Sequence, residues 1–160
     1  MNNCTKKAKM LDLSEPFIHM TWAPYNYIIS ITQREAGFNE WFLNSMINIV
    51  GIHGAKGSIP FFRYTFSPDP STSFAFCNIW DACPYINKLT LNRKLINNTV
   101  NDITRFFIEM INDGNYIYTY LNHFFVERNI SHQTLVYGYD YEKKLFYIAD
   151  HFDNGKYSTR

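Results

Sequence analysis

What this chain of 160 residues lacks narrows it first. It has no run of about 18 apolar residues of the kind a membrane-spanning helix requires, so no transmembrane segment is expected. Its start, "MNNCTKKAKMLDLSEP", carries no apolar stretch resembling a secretory signal. An excess of one charge is missing too. Fifteen Lys and Arg against 14 Asp and Glu leave +1, which makes no field for steering nucleic acid or holding an anionic membrane. Cysteine is scarce: Cys4, Cys77 and Cys83 form no paired zinc spacing, and no H-E-x-x-H occurs. Neither a metal nor a cofactor is therefore expected. The glycines of "GIHGAKG", around His53, match no phosphate-binding fingerprint. Taken together, these absences point to a cytoplasmic protein with free thiols, and away from nucleic-acid and membrane partners.

What is present is aromatic. Twelve Tyr and 14 Phe favour a folded domain with a tyrosine-rich β component over disorder. Residues 1–10 read as a flexible tail and residues 11–160 as a single domain, with no internal repeat and no linker. "YNYIISI", after Pro24, is either a strand or a buried helix, since periodicity alone does not separate the two. "FNEWFLNSMINIV" reads as a helix with Phe42, Met46 and Ile49 on one face and Gly51 past its end. Residues 51–73, rich in Gly and Pro, read as loop with one short strand at Phe61 to Phe66. "INKLTLNRKLINN" follows as a helix. The clearest helix is "NDITRFFIEMINDG": Ile103, Phe106, Phe107, Met110 and Ile111 form a stripe, Asn101 or Asp102 caps the start and Gly114 the end. Then come the strands "YIYTYL", "TLVYGY" and "LFYIAD", the last two joined by the turn "DYEKK" that begins at Asp140. Helices first and an antiparallel sheet after them make an α+β fold.

The segment "SHQTLVYGYDYEKKLFYIAD" places His132 at the start of one hairpin strand and Asp150 at the end of the other, with seventeen residues between them. Folding such a hairpin can set them side by side, where a carboxylate fixes the tautomer of an imidazole that acts as general base. The plain alternative is a strand-entry histidine bonded to backbone and an aspartate leading into the turn "DHFDNG". Among the thiols, Cys83 in "WDACPYI" is the candidate nucleophile, with a buried structural cysteine as its alternative. Cys77 reads as buried, Cys4 as part of the tail, and His19 as a core histidine or a second imidazole in the same cleft.

This order of elements, with "GNYIYTYL…SHQTLVYGYDYEKKLFYIADHF", resembles the papain-like cysteine peptidase fold in its bacteriocin-processing-peptidase branch. More closely it resembles the butirosin biosynthesis protein H N-terminal domain family (BtrH_N), the likeness being clearest over residues 101–157. The resemblance implies N-terminal helices packed on a C-terminal antiparallel sheet, with His132 and Asp150 as the catalytic base and its orienting carboxylate. It implies a place in bacterial natural-product biosynthesis, in acyl or aminoacyl transfer or peptidase-like chemistry. The partner it implies is an acyl or peptidyl carrier protein, or a peptide substrate. The family's nucleophile is a cysteine at the N-terminus of an early buried helix, where the helix dipole and the imidazole lower its pKa. The matching stretch here, "WAPYNYIISI", holds Tyr25, Asn26, Tyr27 and Ser30 but no cysteine. Asn26 and Gln33 are candidate oxyanion donors. A catalytically inactive binding module of the same fold, having lost its cysteine, is the alternative. Family members usually continue past the hairpin, so the chain also reads as the N-terminal part of a longer protein.

Overall fold

The computed structural model describes residues 7–18, 23–52, 61–66, 79–122, 131–153 and 156–160. They form two compact units, Met1–Ile31 with Leu89–Arg160, and Thr32–Lys88. The class is mixed α and β with antiparallel pairing throughout the described sheets.

The first unit is built on one sheet. Strand β5 (Ser131–Asp140) lies inside it, paired on one side with β6 (Leu145–Asp153). Its other side is shared by β4 (Ile117–Asn122) along its first half and β1 (Ala8–Met10) along its second. Strand β7 (Lys156–Thr159) pairs with β6 at the opposite edge. Two of these strands depart from expectation. Ala8–Met10, read as tail, pair with Gly138 to Asp140, and β7 is too short to show an alternation of its own.

Helix α1 (Ala23–Thr32) settles the ambiguity of "YNYIISI". Its Pro24 stands in the first turn, where a missing N–H breaks no helical bond. Buried nearly all round, α1 has Asn26, Tyr27, Ile28 and Ile29 fully enclosed. The Tyr27 ring packs on Tyr118 of β4 and Tyr157 of β7. The opposite face of the sheet is covered by α5 (Ile103–Asn112), through a core of Ile108, Ile111, Val136 and Tyr139. Val136 and Tyr139 share that face despite their odd separation, because the β5–β6 register shifts between Val136 and Gly138. The extra residue, Tyr137, inverts the alternation from there on.

Asp102 caps α5 by accepting the Arg105 N–H at 3.0 Å, and Gly114 closes it with φ +89°. The expected stripe is turned by part of a circle: Ile103 is 48% exposed, whereas Ile108 is buried beside Ile111. Helix α4 (Arg93–Thr99), capped by Asn92, is shorter than expected and has no buried residue.

The second unit holds α2 (Phe38–Met46), the antiparallel pair β2 (Ile47–Ile52) and β3 (Phe61–Phe66), and the short α3 (Ile79–Ala82). Here the helix expected to reach Val50 stops at Met46, and Ile47–Ile52 pair with Phe61–Phe66 instead. The reason lies in the composition: Ile47, Ile49, Val50 and Ile52 are β-branched and stiff in a helix. The Phe38 ring, fully buried, meets those of Trp41, Phe42 and Tyr85.

Candidate functional site

Hairpin geometry brings His132 and Asp150 together. The β5–β6 ladder has Leu135 opposite Ala149. Carried one step past that last pair, the register sets Thr134 opposite Asp150, and alternation puts His132 on their face. His132 Nδ1 lies 2.8 Å from each carboxylate oxygen of Asp150. An ionised carboxylate can only accept, so the nitrogen facing it carries the proton and Nε2 holds the ring's basic lone pair. The carboxylate is 1% exposed and the imidazole 45%, so the acid is enclosed and the ring is open to solvent.

At least four donors reach that buried carboxylate. Besides His132, the Thr134 hydroxyl donates to Oδ2 at 3.1 Å, and the His151 backbone N–H to Oδ1 at 2.7 Å. The Tyr27 hydroxyl, from α1, shares its one proton between the Gln133 carbonyl at 2.7 Å and Oδ1 at 3.2 Å. Burial first, and then the charge of Asp150, hold the Tyr27 phenol protonated far above its ordinary range.

A second imidazole adjoins the pair from the other side. His151 Nδ1 is 3.9 Å from Asp150 Oδ1, its side chain is only 11% exposed, and its Nε2 is 2.9 Å from Asn26 Nδ2. Of the two rings, His132 is the one open to solvent. Asn26, a candidate oxyanion donor, is therefore bonded to an imidazole, and Gln33, the other, belongs to the second unit.

Among the described residues, cysteine occurs only in the second unit. Cys83 is buried in the second unit and bonded to the Thr32 side chain and to backbone at Tyr85 and Ile86. Burial pushes that thiol above its ordinary value, opposite to what an activated nucleophile needs. Cys4, Cys77, His19 and His53 lie outside the described residues. Ser30 faces Tyr157, and neither hydroxyl makes a well-formed hydrogen bond among the described residues. No group of three or more metal-ligating side chains, and no helix long and apolar enough to cross a membrane, occurs among the described residues.

Sequence reasoning placed His132 against Asp150 but missed Thr134, Tyr27 and His151 as parts of the same network. Thr134 was within reach of the period-two rule. Tyr27 had one signal, a phenol inside an apolar helix, which needs a buried hydrogen-bond partner.

Fold and site thus define an α+β domain whose antiparallel sheet carries a solvent-open histidine on a buried, fully engaged aspartate. No family model, curated protein or solved structure matches the chain.

Proposed function

We propose that this is a papain-like domain of the BtrH_N type, acting in the cytoplasm in bacterial natural-product biosynthesis. In this reading His132 is the general base and Asp150 its orienting carboxylate, in acyl or aminoacyl transfer or peptidase-like chemistry. The substrate is a peptide or an acyl group presented by a carrier protein. One observation carries the reading: a carboxylate withdrawn from water, supplied with donors on both oxygens, and aimed at the Nδ1 of a solvent-open imidazole. That arrangement orients a base whose Nε2 accepts a thiol proton as sulfur attacks the acyl carbon; the same proton then goes to the departing amine or thiol. The nucleophile comes from the three cysteines, with Cys83 the candidate named by sequence.

The test uses the full chain, a small acyl thioester as donor, and intact mass as the readout. One cysteine is expected to acylate. His132→Ala should slow that step on the order of a hundredfold or more, and Ala at that cysteine should abolish it. Acylation indifferent to His132, or none at all, rejects the enzyme reading.

A second reading draws on a different observation. Helix α1 presents Tyr27 and Asn26, not a thiol, to Asp150 and His151, and burial disfavours the Cys83 thiolate. On that basis the domain is a binding module of the same fold, without turnover. It predicts that an acyl-loaded carrier protein or peptide binds measurably by calorimetry while remaining chemically unchanged.

A further inference from the structure

We propose that Tyr27 is a positioning residue, whose hydroxyl wedges open the fork between β5 and β6 and so sets the geometry of the His132–Asp150 pair. The proposal deepens the enzyme reading above and rests on it for its catalytic consequence, though not for its test.

The argument starts from the ladder. Pairing of β5 with β6 stops at Leu135 and Ala149, while β4 stays on β5 as far as Ser131 and β7 stays with β6 as far as Asp153. The two inner strands therefore part at the end that carries His132 and Asp150. Continuing the register would set Gln133 opposite His151. Backbone groups that a closed ladder can join there are satisfied otherwise. The Gln133 carbonyl accepts from the Tyr27 hydroxyl at 2.7 Å, and the His151 N–H donates to Asp150 Oδ1 at 2.7 Å. Tyr27 and Asp150, themselves 3.2 Å apart, occupy the opening together.

Tyr27 is fixed where this requires it to be. Its ring lies between Tyr118 of β4 at 6.0 Å and Tyr157 of β7 at 6.1 Å, on the strands flanking the fork, so the hydroxyl falls between β5 and β6. Closing the fork would turn the His151 N–H toward Gln133 and take one donor from Asp150. The carboxylate that holds His132 Nδ1 would then be less firmly placed.

The readout is the tautomer of His132, followed by the ¹⁵N shifts of its ring nitrogens in the folded full chain at a pH where the ring is neutral. Wild type is expected to carry the proton on Nδ1, facing Asp150. Tyr27→Phe should cut the Nδ1–H to Nε2–H ratio roughly threefold or more, the change that one hydrogen bond's net contribution corresponds to. Tyr157→Phe, which keeps a ring against Tyr27 and removes a hydroxyl with no well-formed bond, should leave the ratio unchanged. A folded Tyr27→Phe with wild-type ring shifts overturns the proposal, and so does an equal change in Tyr157→Phe. Should Tyr27→Phe not fold, 3-fluorotyrosine at position 27 keeps the hydroxyl and alters its donor strength. Unchanged His132 shifts in that protein overturn the proposal equally. Because no thiol or turnover enters the readout, its failure is separable from failure of the acyl-transfer reading.

Discussion

At the scale of single residues, Asp150 has the most at stake. Moving a carboxylate out of water costs several kcal/mol unless charge-assisted hydrogen bonds offset it, and its donors come from α1, β5 and its own strand. Asp150→Asn keeps the size but turns an amide group toward some of those donors. We expect it to lower the unfolding free energy by about 2–3 kcal/mol, read as a shifted urea midpoint with unchanged slope. His132→Ala, at a half-exposed ring, should cost no more than about 1 kcal/mol; the reverse ranking would mean that the carboxylate is not the anchor. Asp140, the last residue of β5, is nearly buried. It accepts the Lys143 N–H at 2.9 Å, and that bond, ahead of the nearby Lys143 ammonium, holds its carboxyl below the ordinary range. A depressed carboxyl stabilises above its unfolded pKa, and the stabilisation is lost as pH falls through the folded value. The stability difference between wild type and Asp140→Ala should therefore be present at neutral pH and vanish on acidification. A difference that persists in acid would place Asp140's contribution in packing.

Elements show which signals were legible and why. The β5–β6 hairpin was, because alternating β-branched and aromatic runs on either side of "DYEKK" leave one register that buries both strands. That register set His132 beside Asp150. The stripe on α5 was legible in kind and wrong in phase: Ile103 looks periodic, yet it stands in the first turn, where the described sheet does not cover it. Truncating Ile111 to Ala should accordingly cost about 2–5 kcal/mol, and truncating Ile103 within about 0.5, by the same urea measurement. Strand β2 was hidden because "SMINIV" fits a helix period as well as a strand, and no tight-turn signal joins it directly to its partner β3. Strand β1 was hidden for a local reason on its partner strand β5. A Cβ on Gly138 would come within 2.7 Å of the Lys9 carbonyl, so the glycine exists for β1's close approach. Gly138→Ala should release β1, with faster amide exchange at Leu11, which donates to the Tyr137 carbonyl. Unchanged exchange there would mean that β1 moves as a body to make room.

For the molecule as a whole, chain order and spatial order part company. The first unit is made of both ends of the sequence, and Thr32–Lys88 leave and return between α1 and α4. No Gly- or Ser-rich linker marks either crossing, which is why composition read one domain. The first unit also concentrates the buried phenols, and this fixes its response to alkali. Tyr157 is raised from 10.0 to about 12, chiefly by burial and against the opposing influence of Ser30. Tyr27 is raised by burial and by Asp150. An acid whose folded pKa is raised stabilises fully below its unfolded value, and the stabilisation is lost as pH climbs from there to the folded one. For Tyr157 that window runs from 10.0 to about 12, and the loss is roughly 2–3 kcal/mol, from 1.36 kcal/mol per unit. Amide protection factors across β5 and β6, corrected for the base-catalysed intrinsic rate, should therefore fall steeply through this window and not below it. Tyr157→Phe, which cannot ionise, should delay the loss. If it opens at the same pH as wild type, Tyr27 and the fork it occupies govern the alkaline limit instead.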